Sequence, residues 1–315
     1  MQQRLVGTAG HKVSVIALGS VNFGSSQDQD SCFRMMDYAF EKGITLIDTA
    51  EEYGSGEAER IVGKWVRSRG CRDEVSLCTK VLEHATDIHG ALLASLERLG
   101  TERVEIYLMH EYVPVPPMDE ILAALTEEAE AGRVRTIGCS NYTFAQFQYA
   151  LKLSALHKYR RFEVLEPQYT LVMSPVGIDH TFPVGLWELE DQLLPLCRQE
   201  GIAVTPYSPL GGGFLTGKYT RERPLIPGAR FERMTKSAQH YLTKRNFQIL
   251  DRVREKSQEL GIPMTRLASA WVMTHPAVTS TIIGPRTSED IDDAIAAYHL
   301  ALDPGLRAEM SSWLR

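Results

Sequence analysis

Four side chains in this sequence could handle a proton together, and each stands just past a short apolar run. Ile44-Thr-Leu-Ile-Asp-Thr-Ala-Glu-Glu-Tyr-Gly54 carries Asp48 and Tyr53 beyond such a run, in a glycine-punctuated loop. Lys80 and His110 close two later runs, at 74–79 and 103–109. A phenol titrates near pH ~10, too high for easy proton exchange at neutral pH. A neighbouring ammonium stabilises phenolate and lowers that value, and Asp48 can keep the ammonium charged in a partly buried site. A histidine beside the phenol can orient a carbonyl oxygen or pass on a proton. Such a group suits protonation of an oxygen that becomes an alkoxide. It offers no nucleophile–base pair of the hydrolase type and no convincing carboxylate pair for glycoside cleavage. What it lacks is a hydride donor, for which a nicotinamide cofactor is the natural complement.

For these residues to meet, the elements that carry them must end on one face. Residues 3–19 read as an N-terminal hairpin leading into a buried strand, with the turn at Gly7 to Gly10 and the strand from Val13 to Leu18. A helical pattern covers 29–42. Strand and helix then alternate at 44–48 and 57–69, 74–79 and 86–99, 103–109 and 118–131, 134–139 and 143–157, and 162–167 and 187–200. Strand 202–207 precedes helices near 236–260 and 264–275, and strand 278–283 precedes helix 287–299. The strands are apolar on both faces, as parallel strands covered by helices are.

Eight such units with no linker-like stretch predict one α/β domain over residues 1–315, a (β/α)8 TIM barrel with an N-terminal β-hairpin. The rival is a doubly wound open sheet. It usually carries G-x-G-x-x-G after its first strand, where this chain has Gly19-Ser-Val-Asn-Phe-Gly24, without the middle glycine. In a barrel, chemistry gathers at the carboxyl ends of the strands. Polar residues recur there: Asp48, Lys80, His110, Ser140 with Asn141, Gln168, Tyr207 with Ser208, and Gly284. Taken alone, Lys80 reads better as a helix-facing surface lysine, and His110 as a hydrogen-bonded core histidine. Agreement across the strand ends favours one shared site.

Composition narrows the partners. The chain is 43% hydrophobic and 23% charged, with a formal net charge of −6 and no basic run, which gives no reason to expect nucleic acid or an anionic membrane. No apolar run reaches transmembrane length and the first residues do not form a signal peptide, so the expected location is cytoplasmic. The five cysteines, Cys32, Cys71, Cys78, Cys139 and Cys197, form no C-x-x-C pair, which argues against a disulfide framework or a structural metal. Cys78 and Cys139 sit inside strand patterns and read as core.

Taken together, Gly43 to Gly54, Thr79-Lys80 and Leu108-Met-His110 resemble the signatures of the aldo-keto reductases, and the resemblance runs from the hairpin to the last helix. It implies Asp48, Tyr53, Lys80 and His110 as the catalytic tetrad. It implies Ser140 and Asn141, in Ile137-Gly-Cys-Ser-Asn141, as partners of the nicotinamide carboxamide, completed by Gln168 in Glu166-Pro-Gln-Tyr169. Tyr207 takes the place of the ring stacked on the nicotinamide. Ser208, Leu210 and the stretch Gly213 to Lys218, with Thr216 inside it, resemble the loop over the pyrophosphate, where glycine-rich backbone can approach phosphate closely. The last family motif departs here to Gly284-Pro-Arg-Thr-Ser-Glu-Asp290, with Ala294 in place of the usual asparagine. Arg286 suits a ribose 2′-phosphate and favours NADP(H), whereas Asp290 would repel one, which leaves NAD(H) open.

On the substrate side, Asn22 follows the first barrel strand and Glu111-Tyr112 follow His110. The connection 172–186 is long for its place, as a substrate lid or an oligomer contact. No long C-terminal loop of the kind that closes a steroid pocket follows the last helix. A small carbonyl or alcohol, such as a sugar or another hydroxylated natural product, is therefore the expected substrate. Two alternatives share the motifs: a redox-neutral epimerase or dehydratase with recycled cofactor, and a cofactor-sensing accessory subunit. The sequence leaves the oligomeric state open.

Overall fold

The apolar runs fold as parallel strands because nearly every position in them is covered. Val104–Met109 and Ser76–Val81 are buried at every residue, in keeping with strands that have neighbours on both faces. The computed structural model describes residues 1–315 except Ala9, His180, Thr181, Met234 and Arg315, with the backbone alone for Arg233, Thr235, Lys236 and Ser237. Strands β1 (Gln3–Val6) and β2 (His11–Ser14) form an antiparallel hairpin. The barrel strands are β3 (Ile16–Gly19), β4 (Leu46–Asp48), β5 (Ser76–Val81), β6 (Val104–Met109), β7 (Val134–Ser140), β8 (Val164–Glu166), β9 (Ala203–Val204) and β10 (Thr281–Ile283). These eight make one parallel sheet in chain order, with β10 returning beside β3. Bridges from Val204 to Val278 and from Tyr207 to Ile282 carry it round from β9 to β10, so the sheet closes as a (β/α)8 barrel.

Two cores result. Inside the barrel lie Val6, Val13, Ala17, Leu46, Cys78, Ile106, Leu108, Val164, Ala203 and Ile282, with the hairpin's Val6 and Val13 among them. The larger core fills the space between strands and helices. All five cysteines are buried and free, as the strand patterns suggested for two of them. Strands β7 and β8 approach closely because Gly138 has no side chain: a Cβ there would stand 2.3 Å from Val164 O.

Three boundaries differ from the sequence reading. The expected strand 13–18 is two strands, because the Ser14 hydroxyl donates to Ile16 O at 2.6 Å and accepts from Thr45 N and Leu46 N, pinning a turn between hairpin and barrel. The expected strand 202–207 keeps only Ala203–Val204, since Pro206 has no N–H to donate to a ladder. A helix at Pro304–Ser312, capped by the Asp303 side chain, was not anticipated, because Asp-Pro-Gly reads as a turn. Among the described residues no helix is long and apolar enough to cross a membrane.

Candidate active site

The interior of the barrel sets the site through strand alternation. Side chains two apart on a strand share a face, so a polar residue two steps beyond an interior hydrophobe points up the same axis. Asp48 follows Leu46 in this way, Lys80 follows Cys78, His110 follows Leu108 and Glu166 follows Val164.

Lys80 is fully buried at the centre. Its Nζ lies 2.5 Å from Asp48 Oδ2 and 3.0 Å from Thr49 O, to both of which it donates, and 3.2 Å from Glu166 Oε1. The ligand-type atoms of Asp48, Cys78 and Glu166 fall within 4.8 Å of one another, and the cation among them is the Lys80 ammonium itself. Burial alone would drive the proton from Lys80, but the carboxylates of Asp48 and Glu166 reverse this and hold it charged well above the usual lysine range. Burial, with the charge of Asp48 next, pushes the Glu166 carboxyl well above the usual carboxylate range.

Tyr53 stands over this cluster, its ring centroid 5.3 Å from Lys80 Nζ. The expected lowering of its pKa is only part of the balance. Burial raises the phenol strongly, Lys80 pulls it down, and Asp48 and Glu166 push it up again, so Tyr53 rests protonated, as an acid. The His110 ring meets Tyr53 edge-on at 5.7 Å between centroids. Glu52 Oε2 lies 2.6 Å from His110 Nδ1. Glu51 accepts from Leu82 N at 2.8 Å and so ties the Tyr53 loop to the end of β5.

Ser140, Asn141 and Gln168 gather beside this group but bond to the protein. Ser140 Oγ donates to Glu166 O at 2.7 Å. Asn141, in left-handed backbone at φ 58°, accepts from the Tyr207 hydroxyl at 2.9 Å and donates to His110 O at 3.2 Å. Gln168 Nε2 donates to the Tyr241 hydroxyl at 2.6 Å, and Gln168, like Ser140, Asn141 and His110, is not part of the main cavity wall. Glu166 occupies that wall instead, one inward position nearer the hairpin.

A cavity of about 650 Å³ starts at Asp48, Tyr53, Glu166 and Tyr207 and runs outward as a groove. Ser208, Leu210, Gly213, Thr216 and Lys218 line it, together with Gly284, Arg286 and Asp290. Positive φ at Ser208, Gly211, Gly212, Gly213 and Gly217 curls the loop. Burial lowers the Lys218 pKa, with Arg286 adding to the effect and Asp290 opposing it. The Asp290 carboxylate accepts from Arg286 N at 2.9 Å and lies 3.6 Å from its Nε, so part of its charge is spent inside the motif. Arg230 also lines the groove, beside Gly212. The sequence reading missed it, because the segment 208–235 shows no periodicity that would aim a side chain.

Of the substrate-side residues, Asn22 lines the cavity, whereas Glu111 and Tyr112 do not. Tyr112 packs edge-on against Tyr142 at 5.5 Å, which takes its ring into the core. The described part of 172–186 is likewise absent from the cavity wall. It folds back on itself through Leu186 N to Ser174 O at 2.7 Å, and Phe182 packs against His240 and Tyr241. It therefore meets the site indirectly, through Tyr241 and Gln168.

Residues 15–312 match the model of the Aldo/keto reductase family. This chain belongs to that family. The uncharacterized oxidoreductase YrpG of Bacillus subtilis is 35% identical, covering 96% of this chain and 93% of its own. The versiconal hemiacetal acetate reductase of Aspergillus parasiticus is 26% identical over 96% of this chain and 94% of its own. A putative voltage-gated potassium channel subunit beta of Schizosaccharomyces pombe is 30% identical over 93% of this chain and 87% of its own. As a member of the aldo/keto reductase family, this chain is an NAD(P)H-dependent oxidoreductase. The groove lining suits such a cofactor chemically: it holds an aromatic ring, Tyr207, a curled glycine loop, and the cations Lys218, Arg230 and Arg286.

Proposed function

We propose that this enzyme reduces an aldehyde or ketone to an alcohol, or runs the reverse reaction, with NADP(H) preferred and Tyr53 as the general acid. The observation that carries the reading is the Tyr53 phenol on the groove wall, its ring centroid 5.3 Å from the buried Lys80 ammonium. The bound cofactor supplies the hydride. Tyr53 gives its proton to the oxygen that becomes alkoxide. Lys80, held charged by Asp48, stabilises the phenolate left behind. His110, with the Glu52 carboxylate 2.6 Å from its Nδ1, orients the carbonyl oxygen.

The preference for NADP(H) rests on Lys218, Arg230 and Arg286, whose charges suit a 2′-phosphate, and on Asp290 being engaged by the Arg286 backbone. The polar groups Asn22 and Tyr53 on the cavity wall suit a hydroxylated substrate such as a sugar. A screen of aldoses, keto sugars and simple aldehydes with NADPH and NADH in parallel tests both points. Equal catalytic efficiency with the two cofactors would sink the preference. Tyr53→Phe is expected to lower kcat about 10²–10⁴-fold with the fold intact by circular dichroism, and a wild-type rate in that variant would remove the acid assignment. The channel-subunit relative motivates a second reading, a cofactor-sensing accessory protein. Tight cofactor binding with negligible turnover on every carbonyl would decide for it.

A further inference from the structure

The buried cluster holds one more carboxyl than Lys80 needs. An ammonium has three N–H groups. Asp48 Oδ2 and Thr49 O take two of them, at 2.5 and 3.0 Å. For the third there are two candidates on opposite sides of the reaction: the Tyr53 phenol, which must give up or accept the proton, and Glu166 Oε1, already in ion-pair contact at 3.2 Å. Glu166 is 3% exposed, so its charge is poorly screened. It lines the same cavity floor as Tyr53 and Asp48.

We propose that Glu166 is a positioning residue that competes with Tyr53 for Lys80 and so sets how readily the phenol ionises. The proposal rests on the reading of Tyr53 as the proton-exchanging group. Burial and Asp48 favour the proton on Glu166, and the Lys80 contact at 3.2 Å draws it off. Whenever Glu166 is ionised beside Asp48, the cluster around Lys80 carries one net negative charge, and a phenolate would add a second beside it. With Glu166 neutral, Lys80 can turn its third N–H and its uncompensated share of charge toward Tyr53.

The other groups that face this pair complete the balance. Cys78 on β5 is a buried thiol held neutral by its burial. Tyr207, beyond β9, is a buried phenol pushed up by burial and, in smaller part, by Tyr241, Tyr53, Glu166 and Glu111. His110, beyond β6, faces Tyr53 with Glu52 behind it. Among these, Glu166 is the carboxyl that reaches Lys80 without taking one of the two hydrogen bonds that hold it in place.

Alcohol oxidation reads the effect directly, because in that direction Tyr53 must be phenolate to take the hydroxyl proton. The experiment measures kcat against pH for alcohol oxidation by the full-length enzyme, with wild type, Glu166→Gln and Tyr53→Phe assayed together. Glu166→Gln is expected to move the acid limb of the profile about one unit toward lower pH, which is roughly a tenfold gain in rate on that limb. Glu166→Asp, which keeps the charge, is expected to stay near the wild-type profile. Should Glu166→Gln not fold, Glu166→Ser removes the charge with less volume and carries the same expectation. A profile that stays in place or moves to higher pH in the neutral variants, while Tyr53→Phe is inactive, overturns the role of Glu166 and leaves the acid assignment standing. Full activity in Tyr53→Phe overturns the assignment itself.

Discussion

The two ends of the groove are built from different materials. At the inner end, strand termini aim Asp48, Lys80 and Glu166 into the barrel axis, where their charges are buried and answered by one another. At the outer end, a loop in left-handed backbone and a short motif after β10 bring Lys218, Arg230 and Arg286 to a surface that water reaches. The Arg286 side chain is 64% exposed and its partner Asp290 39%. Electrostatic free energy scales with how far water is excluded. The inner end can therefore shift proton affinities, while the outer end can attract and hold an anion but barely perturb it.

Breaking the inner end should cost most. Lys80→Met leaves two carboxyls facing each other in the barrel with no cation. Loss of one partner from a buried ion pair costs about 3–5 kcal/mol, less whatever Glu166 recovers by keeping its proton. Denaturant unfolding should show this loss together with a fall in kcat at least as large as that of Tyr53→Phe. Unchanged stability in Lys80→Met would mean that the cluster is already close to neutral without the lysine.

At the outer end, Arg286→Ala should leave kcat and folding nearly untouched and raise KM for NADPH about tenfold, equivalent to roughly 1.4 kcal/mol. The difference from wild type should shrink at high salt, since the site is exposed. If the same substitution raises KM for NADH equally, Arg286 does not read the 2′-phosphate. The smallest effect on cofactor binding is expected from Gly213→Ala. Its φ of 91° strains any side chain, although a Cβ would come no nearer than 3.5 Å to Lys218 Nζ. A loss of about 1–2 kcal/mol and a modest rise in KM for cofactor are the expected outcomes, measured by thermal unfolding and by cofactor titration. Wild-type stability would show that the loop relaxes without cost.

Much of this was legible before the fold. Burial on both faces and a repeated strand–helix rhythm are enough for the barrel, because parallel strands need covering helices and crossover connections. Asp48, Lys80 and His110 were legible for the same reason, each closing a run of hydrophobes. The period-2 rule reaches further than its first use did. Glu166 stands two residues beyond Val164 just as Lys80 does beyond Cys78, but Glu166-Pro-Gln drew attention to the amide of Gln168. Counting inward positions from the end of the run would have found it. Arg230 and the packing of 172–186 carried no such signal, since Arg230 opens a helix of only four residues, too short to show a period, and irregular backbone has none from which a side-chain direction follows.

By itself, then, the sequence determined the inventory and the layer: which proton-handling groups exist, and that they crown the strands of one barrel. Propensity and alternation are local, and a single strand suffices to express them. Only the tertiary structure decided who answers whom. That Lys80 bonds Asp48 and Thr49 yet also touches Glu166, that burial keeps Tyr53 protonated against the pull of the lysine, and that Gln168 serves Tyr241 all depend on distances between strands far apart in the chain. Charge interactions in a dry interior are set by such distances and by the exclusion of water, and both come into being only when the barrel closes.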